Sequence, residues 1–113
     1  GEDGAFIDVL EMGGKGLISA SANISEAASI FVQLYKSFLE GQFEKSDDLQ
    51  DAARDFVEIT FCRKNPIPLG TLFNSPLYLP LVSVKQTARG DEAEARILKL
   101  IHEKAPSLLK YHK

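Results

Sequence analysis

The stretch that decides the fold of this chain is GGKGLISASAN, Gly13 to Asn23. Glycine readily adopts the left-handed backbone that commonly ends a helix, so Gly13 and Gly14 predict a helix stop. Residues 16–20 then form a short run that is apolar without alternation, which is typical of a strand covered on both faces in a parallel sheet. The stretch predicts one buried strand between two helices and an α/β fold class.

Helices are predicted on both sides of this strand. The first covers residues 3–13, and the second follows Asn23 and ends at Gly41. Asn23 and Glu26 have the spacing of a capping box, which predicts that the Asn23 side chain caps the second helix. Apolar residues at three- and four-residue spacing predict further helices at 44–62 and 91–104. The predicted buried positions of the second and third helices are Ala27, Ile30, Phe31, Leu34 and Phe38, then Leu49, Ala52, Phe56 and Ile59.

The single strand raises a problem of hydrogen bonding. Both edges of a buried strand need partners for their backbone N–H and C=O groups. The stretch from Leu69 to Val84 is apolar but interrupted by prolines, so it is a weak source of partner strands. One strand without a sheet therefore predicts that the chain is a fragment of a larger domain.

Composition excludes several classes of function. The 113 residues carry a net charge of −3, so there is no basic excess for binding nucleic acid. No apolar run is long enough to span a membrane, and no secretory signal is visible. The lone Cys62 cannot form an internal disulfide, which favours a cytoplasmic location. We expect Cys62 to be a small buried apolar residue rather than a nucleophile, and no set of His and Cys at ligand spacing predicts a metal site.

Four motifs in a fixed order resemble the dihydrodipicolinate synthase and N-acetylneuraminate lyase family. These enzymes are class I pyruvate-dependent aldolases with a (β/α)8 TIM barrel and no added cofactor. The order and spacing match from residue 1 through residue 68. The motifs are Gly1-Glu-Asp3, Gly13-Gly-Lys-Gly-Leu-Ile-Ser19 with Asn23, Gly41-Gln-Phe-Glu44, and Asn65-Pro-Ile-Pro68.

The resemblance implies which part of the barrel this chain forms. Residues 1–41 correspond to the end of strand seven, helix seven, strand eight and helix eight. Residues 42–113 correspond to a helical C-terminal extension, so most residues are helical. The expectation is a single structural unit, with strands one to seven upstream of Gly1.

The resemblance also implies the roles of individual residues. The Schiff-base lysine of the family belongs to strand six, so no catalytic residue is expected here. Lys15 precedes strand eight and would lie on the rim opposite the catalytic face. Ile18 matches a pocket wall against bound pyruvate. Gly1 and Asp3 match a motif at the end of strand seven that approaches the second substrate.

The implied function is a lyase or aldolase reaction of the full-length enzyme on pyruvate and a small aldehyde. The parent would be a homotetramer, and this piece alone would be inactive. Sialic acid lyases carry polar groups where this chain has Gly4 and Ala20, which favours the synthase side of the family. A free-standing helical interaction module without catalytic activity is the alternative, because it would explain the missing lysine.

Overall fold

A computed structural model describes residues 2–63, 65, 67–73 and 88–112 of the chain, with the backbone alone at 88–91 and 93. The regular structure over these ranges is helical, and within them no β-strand occurs. The α-helices are α1 (Phe6–Glu11), α2 (Ser25–Leu39), α3 (Phe43–Phe61), α4 (Ile67–Phe73) and α5 (Ala88–Lys104). Short 3-10 helices cover Asp3–Ala5, Ser21–Asn23 and Pro106–Tyr111.

The predicted strand at residues 16–20 is not confirmed. Residues 14–19 have no regular secondary structure. A strand is defined by a ladder of backbone hydrogen bonds to a neighbouring strand, and the described residues provide no such neighbour. The described part of the chain is therefore mostly helical, as predicted, whereas the α/β fold class and the assignment to the end of a TIM barrel stay predictions.

The chain forms two compact units, Gly1–Val57 and Glu58–Lys113. These boundaries describe packing within this chain. They do not test the predicted division into a barrel part at 1–41 and a helical extension at 42–113, which concerns a larger domain.

The first unit is built around the apolar faces of α1 and α2. Phe6 of α1 meets Phe31 of α2 edge to face, with 6.1 Å between ring centroids, and it stacks on Tyr35 at 6.3 Å. Rings at these separations add attraction beyond the area they bury. The three- and four-residue spacing of α2 is confirmed, since Ala27, Phe31 and Leu34 are buried and Ile30 and Phe38 are half-buried. The buried apolar residues of this unit are Phe6, Leu10, Ile24, Ala27, Phe31, Leu34 and Ala53.

Helices α1 and α2 end in the same hydrogen-bonded motif. At the end of α1, the Gly13 N–H donates to the Leu10 carbonyl at 3.0 Å and the Gly14 N–H donates to the Val9 carbonyl at 2.8 Å. At the end of α2, Gly41 and Gln42 donate in the same way to Phe38 and Ser37, at 3.0 and 2.9 Å. Both are Schellman motifs, and Gly13 (φ 91°) and Gly41 (φ 77°) take the left-handed conformation that the motif requires. The predicted helix stops are confirmed.

The predicted capping box at the start of α2 is wrong. The N-cap residue of α2 is Ile24, and it makes no side-chain capping hydrogen bond. The Asn23 side chain instead donates from Nδ2 to the Ala20 carbonyl at 2.9 Å. This bond holds the 3-10 turn at Ser21–Asn23, which the sequence pattern did not predict.

Helix α3 lies within one residue of its predicted bounds, but it buries a different set of residues. Ile59 is buried as predicted, whereas Ala52 is exposed and Leu49 and Phe56 are half-buried. The buried positions of the described helix are Ser46, Ala53, Ile59 and Thr60. The buried Ser46 hydroxyl is not left unpaired, because it donates to the Gln42 carbonyl at 3.1 Å.

The second unit packs α4, α5 and the C-terminal 3-10 helix around its own apolar core. The buried apolar residues of this unit are Ile59, Leu69, Leu72, Ile97, Ile101, Ala105 and Leu108. His112 fastens the C-terminal turn, because its Nδ1 lies 2.7 Å from the Thr71 carbonyl. A carbonyl oxygen can only accept, so this ring nitrogen carries the hydrogen.

Candidate functional site

The substrate-binding residues predicted from the sequence are Ile18, Gly1 and Asp3, and the structure gives Asp3 a specific partner. Asp3 begins the 3-10 helix Asp3–Ala5 that leads into α1. Its side chain is completely buried, and its Oδ2 accepts a hydrogen bond from the Ser21 N–H at 2.9 Å. A carboxylate accepting from a backbone N–H forms one of the stronger classes of protein hydrogen bond. Asp3 is thereby tied to the far end of the segment that carries Ile18.

A second tie runs from Asp3 to α3 through the side chain of Gln50. Gln50 Nε2 donates to the Asp3 carbonyl oxygen at 3.2 Å, and Gln50 Oε1 accepts from the Ile7 N–H at 3.4 Å. The Gln50 amide thus bonds to both a carbonyl and an N–H near the start of α1. The first N–H groups of a helix lack intrahelical partners, and Gln50 supplies one of them with an acceptor. Gln50 was not among the predicted functional residues, and no motif in the sequence singles it out.

Two buried polar atoms at this site have no hydrogen-bond partner among the described residues. They are Oδ1 of Asp3 and Oγ of Ser21. Buried polar groups are nearly always paired, so such atoms mark a place where a further donor or acceptor fits. The contact between Ser21 and Asp3 was not predicted from the sequence.

The segment 14–20 connects two fixed ends. Its start is held by the Gly14 N–H bond to Val9, and its end by the Ser21 N–H bond to Asp3. Between them Leu17 is half-buried, and the Ile18 side chain is 89% exposed. An apolar side chain with that exposure is available to a surface outside this chain.

The other predicted site residues are placed as follows. Gly1 lies outside the described residues. Lys15 is exposed, as a solvated charge at the barrel rim would be. Gly4 is exposed as well, whereas Ala20 is half-buried.

A cleft of about 380 Å³ in the first unit lies beside Gln50. Its acidic residues are Asp8, Asp47 and Asp51, and the Asp51 carboxylate is paired with Arg54. Across the part of the chain that the structure describes, no three His, Cys, Asp or Glu side chains gather where they could hold a metal ion.

Cys62 differs from its predicted environment. The residue is exposed, not buried. Its Sγ donates to the Ile59 carbonyl at 3.1 Å, close to the end of α3. Partial desolvation still raises the pKa of the Cys62 thiol above its ordinary value, so less of the reactive thiolate is present at neutral pH. The prediction that Cys62 is buried is wrong, and the prediction that it is not a nucleophile stays a prediction.

Among the described helices, none has both the length and the apolar character to cross a membrane.

Comparison with known proteins identifies relatives of this chain. A family profile described as the dihydrodipicolinate synthetase family matches residues 1–94. The 4-hydroxy-tetrahydrodipicolinate synthase of Thermoanaerobacter sp. (strain X514) is 34% identical over 90 residues, which are 74% of this chain and 30% of that protein. The proteins of that name from Methanococcus vannielii and Methanocaldococcus jannaschii are 32% and 33% identical over 93 and 92 residues, covering 77% and 76% of this chain and 32% and 31% of theirs. No solved structure gives a significant match.

The match covers most of this chain but only part of each relative. The chain spans about a third of the length of the relatives that it matches. The family profile, in contrast, covers most of the chain and includes both Asp3 and Ile18. The chain belongs to the dihydrodipicolinate synthetase family.

Proposed function

We propose that this chain forms the C-terminal part of a Schiff-base aldolase or lyase that acts on pyruvate and a small aldehyde. Residues 1–41 would complete a (β/α)8 barrel, and residues 42–113 would form its helical extension. Family membership supports the chemistry, and the order of the four sequence motifs supports the position in the barrel. Assembly as a homotetramer in the cytoplasm stays a prediction from the family resemblance.

The observation that carries the proposal is the segment 14–20. It is fixed at both ends within this chain, yet the apolar side chain of Ile18 is 89% exposed. Covering a side chain of this size stabilises a protein by about 1.5–3 kcal/mol, so an exposed one on a fixed segment favours a surface that completes it. In the barrel, bound pyruvate would lie against Ile18.

In the full-length enzyme the reacting group would be the amine of a lysine that lies outside residues 1–113. The amine condenses with the carbonyl of pyruvate, and the resulting iminium withdraws electrons so that an enamine can attack the aldehyde, or the reverse cleavage can occur. In this scheme Ile18 forms one wall of the pyruvate site, and the motif that contains Gly1 and Asp3 approaches the second substrate.

Borohydride trapping tests this proposal. Sodium borohydride reduces an iminium to a stable amine, so radioactive pyruvate should label the full-length protein covalently. The 113-residue chain alone should stay unlabelled, although it contains lysines, because the condensing amine lies elsewhere. Labelling of the short chain at Lys15 or at another of its lysines would overturn the assignment of roles, and a full-length protein without label would overturn the proposed activity.

A helical interaction module without catalysis is the second candidate. It is favoured by the two compact units, each of which buries an apolar core within this chain. The match of the dihydrodipicolinate synthetase family profile to residues 1–94 weighs against it, because an unrelated interaction module would not be expected to match that profile. The trapping experiment separates the two candidates, since the module would not react with pyruvate.

A further inference from the structure

The buried carboxylate of Asp3 has a geometry that suits holding a backbone better than binding a substrate. The side chain has no exposed surface, and one of its oxygens is occupied by the Ser21 N–H at 2.9 Å. This burial arises within the present chain alone. Adding the rest of a barrel can only cover the residue further, so a substrate could reach Asp3 only if the 3-10 turn moved.

The amides that Asp3 helps to hold lie directly after the pocket segment. The Ser21 N–H is bonded by Asp3, and the next N–H, that of Ala22, donates to the Ser19 hydroxyl at 3.0 Å. Ile18 lies three residues before Ser21. With the Gly14 N–H fixed on Val9 at the other end, the position of Ser21 limits where Ile18 can lie.

We propose that Asp3 is a positioning residue, which holds Ser21 and through it sets the place of Ile18 against bound pyruvate. This inference rests on the proposed function, because it names how the pyruvate wall is held. It differs from the role expected from the family resemblance, in which Asp3 contacts the second substrate directly. The two roles predict different responses to the loss of the negative charge.

The variants Asp3→Asn and Asp3→Ala separate these roles. Asn keeps a carbonyl oxygen that can accept from the Ser21 N–H, and its amide nitrogen takes the place of Oδ1, which already has no partner among the described residues. Ala removes the acceptor and leaves the Ser21 N–H buried and unpaired. In pyruvate trapping, a positioning role therefore predicts that Asn is tolerated and Ala is not, whereas a contact with the second substrate alone predicts that neither variant changes trapping.

The first measurement concerns the tie itself and needs no activity. Amide hydrogen exchange at Ser21 in the 113-residue chain should be at least about 10-fold faster in Asp3→Ala than in the unmodified chain, because exchange reports local loss of a hydrogen bond. In Asp3→Asn it should stay within about 3-fold of the unmodified rate, since the acceptor is kept. Glu2→Gln is the matched control, because it removes a charge from the exposed neighbour of Asp3 and should leave the exchange of Ser21 unchanged. Unchanged exchange in Asp3→Ala would overturn the proposal.

The second measurement concerns pyruvate in the full-length protein. Asp3→Ala should raise the pyruvate concentration for half-maximal borohydride trapping on the order of 10-fold, because small misplacements of a binding wall are costly. Asp3→Asn should restore it to within about 3-fold. The double variant Asp3→Ala with Ile18→Ala should be no worse than Ile18→Ala alone, since both changes act on one wall and effects within a unit are not additive.

The outcomes distinguish this inference from the proposed function. If neither variant changes pyruvate trapping, or if Asp3→Asn traps pyruvate as poorly as Asp3→Ala while its Ser21 amide stays protected, the positioning role is overturned. If the unmodified full-length protein is not trapped at all, the proposed function fails, and the catalytic part of this inference fails with it. If Asp3→Ala does not fold, Asp3→Asn still tests the inference. Poor pyruvate trapping by Asp3→Asn with a protected Ser21 amide contradicts the inference without any result from Asp3→Ala.

Discussion

The ends of α1 and α2 share one motif but lead to different structures. In both helices a left-handed glycine and the residue after it donate to the last carbonyls of the helix. After α2 ends at Leu39, three residues lead into α3, which begins at Phe43. After α1 it runs through residues 14–19 without regular structure before the turn at Ser21–Asn23.

The difference lies in where each following segment finds its hydrogen bonds. A helix satisfies its backbone within its own segment, so α3 forms wherever its sequence allows. An extended segment needs a neighbouring strand for the same purpose. The motif thus sets where a helix stops, and the available neighbours decide what the next residues become. The experiments below test the two helix ends and then the segment between them.

The largest effect is expected at Gly14, where space rather than backbone angle is limiting. A Cβ at Gly14 would lie 2.8 Å from the Val9 carbonyl oxygen and would also press on the Val9 side chain. The backbone atom cannot move without breaking the end of α1, so Gly14→Ala should lower the free energy of unfolding by about 2–3 kcal/mol. Urea denaturation of the 113-residue chain, followed by circular dichroism, measures this.

Gly16→Ala is the matched control for that experiment. A Cβ at Gly16 meets no atom within 4 Å, and no left-handed angle applies there. Its effect should stay within about 0.5 kcal/mol, as for surface substitutions generally. Equal losses at Gly14 and Gly16 would mean that the close approach to Val9 does not decide the end of α1.

A smaller effect is expected from the left-handed glycines themselves. A Cβ at Gly13 or at Gly41 meets nothing within 4 Å, so alanine there encounters only the strain of a positive φ. That strain costs about 1–2 kcal/mol, and Gly13→Ala and Gly41→Ala should cost the same, as the shared motif requires.

Asparagine tests whether the strain is the cause. It tolerates the left-handed conformation better than alanine does, so Gly41→Asn should recover part of the loss. If Gly41→Asn is no better than Gly41→Ala in urea denaturation, the cost has a source other than the backbone angle. Unequal effects at Gly13 and Gly41 would show that the two helix ends are not equivalent.

The helices could be predicted because their signals are local. The stops at Gly13 and Gly41 and the bounds of α3 follow from glycine and from apolar spacing within one segment. The buried positions of α3 were harder to predict, because Ser46 and Thr60 are polar and Ala52 and Ala53 look alike in a sequence. Which of two adjacent alanines is buried depends on what packs against the helix, and spacing alone does not say.

The site could be predicted only in part. Asp3 was found through family resemblance, but its hydrogen-bond partner Ser21 is 18 residues away, and Gln50 is 47 residues away. Contacts at such separations depend on how the chain folds back on itself, and no pattern of spacing encodes them. The strand at 16–20 failed for a related reason, since its partners would lie outside the described residues.

The smallest effect on stability is expected at Ile18, and it tests the segment itself. Because the Ile18 side chain is 89% exposed, Ile18→Ser should change the free energy of unfolding of the 113-residue chain by no more than about 0.5 kcal/mol. Ile24→Ser is the matched control, since Ile24 has no exposed surface and the same change there should cost about 3 kcal/mol or more. In the full-length protein, Ile18→Ser should instead raise the pyruvate concentration needed for half-maximal trapping. A loss of stability at Ile18 comparable to that at Ile24 would mean that this chain packs Ile18 itself, and the segment after α1 would then be as self-sufficient as α3.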